Sequence, residues 1–230
     1  MALAFDTATN GTKTDSGTSV STAMTLGASA DILIAGIIGS ANGGADDFTS
    51  VTFNGVAMTL GAKRAASTAV NRYIYAYYLI NPGTGSSYNL VANRTTSDFI
   101  YLCGASYSGA KATGQPDATA TADSNSATAS FASSVTSVSD GCWRITIAGG
   151  YDGNNAPAAG SGLTRRGYDT VYGTGGIFDS GGPVSPAGAY SGTTTYPGSS
   201  NSIGHVNLMI VPAAFGGGAA PDGEVVILFL

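Results

Sequence analysis

Asp179-Ser180-Gly181-Gly182-Pro183 is the stretch whose residue types come nearest to a nucleophilic centre. A serine among glycines can stand where backbone amides stabilise an oxyanion, provided a histidine takes its proton. The chain holds a single histidine, His205, and it follows the serine. His205 opens an apolar segment, where a structural histidine with both nitrogens satisfied is expected. Gly104-Ala105-Ser106-Tyr107-Ser108-Gly109 has the flavour of a nucleophile elbow. It lacks the second glycine at the required spacing and the strand-to-helix context. Glycoside hydrolysis asks for two facing carboxylates, usually with a glutamate acid. The only glutamate, Glu224, lies in the terminal segment.

Chymotrypsin-like serine proteases place histidine and then aspartate ahead of the serine, and a glycine ahead of the motif's aspartate. Here the histidine comes last and Phe178 fills the glycine position, so the motif reads as a turn. Asp46-Asp47 and Asp152-Gly153-Asn154-Asn155 carry oxygen ligands suited to calcium, yet such clusters also make ordinary turns. Cys103 and Cys142 have no Cys-x-x-Cys partner, which excludes a zinc ribbon, and they are expected to be buried thiols. There is no phosphate-binding loop or dinucleotide fingerprint. These residues therefore point to no catalytic site, no metal and no cofactor. A binding surface remains: Tyr151, Tyr168, Tyr172, Tyr190 and Tyr196 fall in glycine-rich sequence. As exposed loop residues they would offer sugars an apolar ring face and a polar tip, and the alternative is that they pack loops or a subunit contact.

The elements that would position these groups are β-strands. Val51-Thr-Phe-Asn54-Gly55-Val-Ala-Met58 is a hairpin signal, because Asn-Gly supplies two residues at positive φ. Tyr73 to Ile80 is a strand, and Asn81-Pro82-Gly83 ends it. Further strands are expected at Ala2–Asp6, Ser19–Met24, Ile32–Ile38, Tyr88–Ala92, Phe99–Tyr107, Ala127–Ala132, Trp143–Gly149, Leu163–Tyr168, Gly188–Thr193 and Ile203–Val211. Ile32–Ile38 is apolar on both faces and reads as a central strand. Trp143, Ile145 and Ile147 alternate with Arg144 and Thr146, so one face of that strand is expected to be buried and the other wet. The whole is expected to be an all-β, antiparallel two-sheet β-sandwich of jelly-roll type, one domain over residues 1–211. The Ala/Ser/Thr-rich stretch from Ala110 to Asp140 is kept inside it.

Composition agrees. Glycine is 34 of 230 residues, about twice the usual share, and charged residues are only 10%. With one glutamate and three lysines, the residues of exposed helices are nearly missing. A surface so poor in charge suits packing against neighbouring subunits. The net charge of −5 without a basic stripe argues against nucleic acid. No apolar run approaches the length of a membrane span, and the N-terminus has neither a basic n-region nor an apolar h-region. Folding in a cytoplasm is the expectation. Residues 212–223 form a Gly/Ala/Pro tether, and residues 224–230 an apolar strand: Val225, Val226, Ile227, Leu228, Phe229 and Leu230 follow Glu224. Such a strand must be covered, either in the protein's own sheet or by donation to a neighbour.

The order Ser50-Val-Thr-Phe-Asn-Gly-Val-Ala-Met-Thr59, Tyr77-Tyr-Leu-Ile-Asn-Pro-Gly-Thr-Gly85, Gly104-Ala-Ser-Tyr-Ser-Gly109 and Cys142-Trp143 resembles a phage-encoded β-sandwich domain of virion structural proteins. The resemblance spans Met1 to Val211 and consists of turns and strands. It implies a jelly-roll-like sandwich displayed on a virion, as a capsid decoration or tail-associated protein; the low-charge surface and terminal strand add the expectation of a homo-oligomer with protein neighbours. It carries no catalytic residues. The alternative is a carbohydrate- or receptor-binding module that holds a surface glycan with the tyrosine loops.

Overall fold

The computed structural model describes residues 2–40, 46–67, 72–126, 128–150, 156–170, 175–200 and 202–213. These residues are all-β, as expected, and pair antiparallel throughout. None of them forms a helix long and apolar enough to cross a membrane. Three hydrogen-bonded sheets make up the sandwich. Tyr151, the Asp152-Gly153-Asn154-Asn155 cluster, Tyr172, the tether beyond Ala213 and Val225–Leu230 lie outside the described residues.

The first sheet is built on a ribbon of two 22-residue strands, β1 (Ala4–Thr25) and β7 (Ser87–Ser108), paired from Ala4↔Ser108 to Thr25↔Ser87. Fully extended, each would run about 70 Å. A chain of this size has a radius of gyration of only about 17 Å, so the ribbon must fold. Its register shifts between Thr9 and Thr12, between Thr14 and Gly17, and between Gly17 and Ser19, which bends it. Gly11 takes φ +79° in the bend, and a Cβ there would stand 2.0 Å from the Leu102 carbonyl oxygen. The two halves then stack: Thr9 Oγ1 lies 3.4 Å from Thr22 Oγ1. The isolated strands expected at either end of β1 and of β7 are thus the ends of two continuous ones.

Against β7 pair β2 (Ile32–Ser40) and β3 (Phe48–Phe53). Beyond β2 come β6 (Arg72–Ile80) and β5 (Thr59–Ser67), and β3 carries the short β4 (Val56–Ala57). Asn54 and Gly55 turn β3 into β4 with φ of 51° and 74°, as the Asn-Gly signal requires. β2 is central: Ile32, Ile34 and Ile38 enter one core with Ile145, Ile147, Val206 and Leu208. Leu33, Ala35 and Ile37 enter another with Met24, Val51, Phe53 and Leu90. Each such fully buried side chain contributes about 1.5–3 kcal/mol.

The second sheet orders β12 (Thr164–Tyr168), β13 (Gly175–Asp179), β10 (Trp143–Gly150), β15 (Ile203–Ile210) and β8 (Ala118–Ser124). The third orders β11 (Ala158–Ala159), β14 (Ala189–Ser200) and β9 (Thr128–Thr136). β8 and β13 were not expected from the sequence. β8 alternates alanine with threonine and aspartate, and in β13 only Ile177 and Phe178 follow Gly175-Gly176, so neither carries a run of β-branched or aromatic residues long enough to read as a strand.

One expectation about β10 is corrected. Arg144 and Thr146 do not face water; β10 is buried on both sides, Arg144 at 1% exposure and Thr146 at 0%. The third sheet covers that face, and its polar side chains are taken up between the sheets.

Candidate functional site

The Ser180 region forms no catalytic constellation. Ser180 Oγ donates to the Gly182 carbonyl at 2.5 Å and accepts from the Arg144 amide at 3.3 Å. Ser180 also binds Arg144 through its backbone amide, whereas His205 pairs with Ala148, four residues along β10. That is roughly 13 Å of strand between them. Asp179 is fully buried and accepts from Arg166 Nε at 2.6 Å, Tyr107 Oη at 3.0 Å and the Gly181 amide at 2.8 Å. It is a structural carboxylate at the head of a glycine turn, Gly181 having φ +69°. Ser106 lies within β7, two residues from its end, and donates to Asp6 at 2.7 Å, so no elbow exists there.

His205 is instead part of a buried polar centre between the second and third sheets. Its Nδ1 lies 2.7 Å from Ser133 Oγ and its Nε2 2.8 Å from Thr194 Oγ1, with the Phe131 ring packed edge-on at 4.8 Å. Burial, with Arg144 nearby, pulls its pKa down to about 3, so the ring is neutral. Arg144 donates to Asn207 Oδ1 at 2.8 and 3.2 Å, Thr146 Oγ1 at 3.1 Å, Ser133 Oγ at 2.8 Å and the Tyr190 carbonyl at 3.1 Å. Every one of these partners is neutral. Burial pulls the Arg144 pKa down to about 10. The centre is closed and satisfied, which is how a buried cation without a carboxylate is tolerated. In sequence it shows as polar residues at every second position of β10 (Arg144, Thr146) and β15 (His205, Asn207), a pattern that equally describes a wet face.

Of the aspartates weighed for calcium, Asp46 and Asp47 have protein partners, and Asp152 lies outside the described residues. Asp46 receives Lys63 Nζ at 2.6 Å and Tyr75 Oη at 2.5 Å. Burial alone would raise its pKa, but those two hydrogen bonds outweigh it and hold the carboxyl below the usual range. Asp47 takes Arg94 at 2.9 Å and the amide and hydroxyl of Thr96. Among the described residues no cluster of three or more His, Cys, Asp or Glu could hold a metal. Cys103 and Cys142 are free and buried, as expected.

The described tyrosines do not form one platform. Tyr196 is a core residue, 4% exposed, and accepts a bond from Thr194 at 3.4 Å; it is not an exposed loop tyrosine. The reason is register: it shares a face of β14 with Thr194, which reaches His205. Tyr168 ends β12 under the Arg165 guanidinium, 3.7 Å from its ring centre. It pairs with Gly176, itself paired with Ala148 near the end of β10. Tyr190 packs near Cys142, Val135 and Met209, at the start of β10. The two half-buried rings thus sit at opposite ends of the second sheet.

Two shallow clefts open on the folded ribbon, a region that sequence reading left without a role. One, of about 440 Å³, is lined by Thr52, Asn54, Ser87, Tyr88 and Asn89 among others. The second, of about 410 Å³, lies between the stacked halves of β1 and includes Thr7, Thr9, Asn10 and Thr25. Both lie along the outer face of β1, β3 and β7, where Ser21, Thr25, Asn54, Ser87 and Asn89 are exposed in period-2 alternation.

Comparison with protein-family models, with curated proteins and with solved structures finds no match for this chain. The likeness to virion β-sandwich domains therefore rests on the turn and strand motifs of the sequence.

Proposed function

We propose that this chain is a non-enzymatic structural subunit of a larger protein assembly, of the virion-decoration or tail-associated kind, acting as a homo-oligomer. The observation that carries this reading is how the fold disposes of its charge. Lys63, Arg64, Arg94 and Arg166 each meet an aspartate on another element, and Arg144 is enclosed between sheets. What is left outside is largely hydroxyl, amide and small side chains, a surface that neighbouring subunits can cover with little loss of ion hydration. Among the described residues, His205, Asp179, Ser180 and Ser106 are tied into internal hydrogen bonds. The apolar run Val225–Leu230, behind its glycine tether, supplies a segment that a neighbour's sheet edge can take up.

Light scattering on the full chain and on a chain ending at Ala213 tests this. The cut belongs after Ala213 because Pro212 bridges to Ala110 and the Ala213 amide donates to the Gly109 carbonyl at 2.7 Å. An oligomeric full chain and a folded monomeric truncation are expected. A full chain that stays monomeric at high concentration overturns the assembly role.

A further inference from the structure

We propose that the cleft beside the Asn54-Gly55 turn binds an uncharged saccharide. Its lining contains no Asp, Glu, Lys or Arg. That disfavours phosphate, carboxylate and ammonium ligands, each of which needs a countercharge once partly desolvated. It is also too polar for an apolar ligand, its lining including Thr52, Asn54, Ser87 and Asn89.

The arrangement of those groups fits sugar chemistry. The Asn54 amide nitrogen donates to the Asn89 carbonyl at 3.1 Å, so the two asparagines stand across from one another on adjacent strands. Cross-strand neighbours hold their Cβ atoms about 5 Å apart. Two carboxamides at that spacing present paired donors and acceptors to hydroxyls on one pyranose ring. Ser87 and Thr52 lie one step of the pleat away on the same outer face. The Tyr88 ring turns to the other face of β7, edge-on to Phe53 at 5.8 Å, and leaves the outer face to carboxamides and hydroxyls.

The site is also preformed. Asn54 is fixed at φ 51° by the two-residue turn, and the Asn81-Pro82-Gly83 turn closes against the cleft. A Cβ at Gly83 would lie 3.1 Å from the Tyr88 ring and 3.5 Å from Asn54 Nδ2. Little ordering is therefore left for the ligand to drive. Ser87 pairs with Thr25 and Asn89 with Ala23 on β1, and Ala23 and Thr25 also line the second cleft. A chain of sugar units leaving the first cleft meets the hydroxyl of Thr25 next, so oligosaccharides bind better than monosaccharides. This inference stands whether or not the chain assembles.

The test is an NMR titration of the isotopically labelled full chain with neutral pentasaccharides of α-linked glucose, β-linked glucose, mannose and xylose. Glucose serves as the monosaccharide control and 3′-sialyllactose as the charged one. The expected result is a saturable shift of the Asn54 and Asn89 side-chain amide signals with at least one pentasaccharide, at lower concentration than with glucose. The shift is expected to vanish in the variant Asn54→Gly/Asn89→Ala. Neither substitution touches the core: Asn89 is exposed, and glycine tolerates the positive φ of the turn. Unmoved amide signals with all four pentasaccharides overturn the proposal, as do a shift that survives in the variant or one produced by sialyllactose alone.

Discussion

Acid should separate His205 from the rest of the fold's stability, and by an amount that the structure sets. In the folded protein burial, reinforced by Arg144, pulls the His205 pKa down to about 3 from the 6.5 of a free imidazole. The unfolded chain therefore binds this proton more readily than the folded one. Stability falls as pH drops from the unfolded value toward the folded one, and is unaffected by this group above about pH 6.5. At pH 4.5 the difference is two pH units, or roughly 3 kcal/mol; at pH 3 it reaches about 4 kcal/mol. Asp46, Asp47 and Asp117 also lose stability in acid, because their carboxyls are held below the usual range by the hydrogen bonds they accept. A comparison of variants cancels them. In His205→Gln the carboxamide still reaches hydroxyl partners but does not titrate. Urea unfolding at pH 7 and pH 4.5 should show the wild type losing roughly 3 kcal/mol more than the variant across that interval. Equal losses in the two proteins would mean that His205 is not held neutral by its surroundings, and the closed polar centre would have to be abandoned.

Two other perturbations test the fold's geometry. Gly11→Ala combines a positive φ with a Cβ placed 2.0 Å from the Leu102 carbonyl oxygen, so it should cost well over about 2 kcal/mol. Gly55→Ala also has positive φ but meets nothing within 4 Å, and should cost about 1 kcal/mol. Equal midpoint shifts in denaturant would refute the folded ribbon. Burial pushes the Cys103 thiol up to about 12, and burial with Asp117 does the same for Cys142. Both should resist Ellman's reagent at pH 8 in the folded protein and react on unfolding; a fast native reaction at either refutes its placement.

How much of this was legible in the sequence follows the strength of the local signal. The hairpin at Asn54-Gly55 and the two-faced apolar run Ile32–Ile38 are determined within a few residues, and both stand as expected. The continuity of β1 was not legible. Its middle, Thr7 to Gly17, is polar because the bend lies there, and polar sequence reads as loop. β13 was missed for a related reason: glycines open it where Ile38 crosses, and a Cβ at Gly175 would stand 1.8 Å from Ile38 Cδ1. Packing between layers, not strand propensity, chose those residues. The cleft residues were individually visible as alternating Thr, Ser and Asn, but β3 and β7 are brought together only by the sheet.

The same distinction explains why β10 was read as half wet. A period-2 pattern reports two chemically different faces and is silent on what covers the polar one. The first two sheets meet through an apolar core of isoleucine, leucine and aromatic side chains. The second and third meet around Arg144, Thr146, Asn207, His205, Ser133 and Thr194, with only small apolar clusters at either side. Apolar contact adds stability in proportion to area and tolerates sliding. The polar interface contributes little net energy per bond but costs heavily if misaligned, since each displaced partner leaves a buried donor or acceptor unpaired. Layers joined in the first way fix how strongly the protein folds. The layer joined in the second way is fixed in register, and its hold depends on His205 staying neutral.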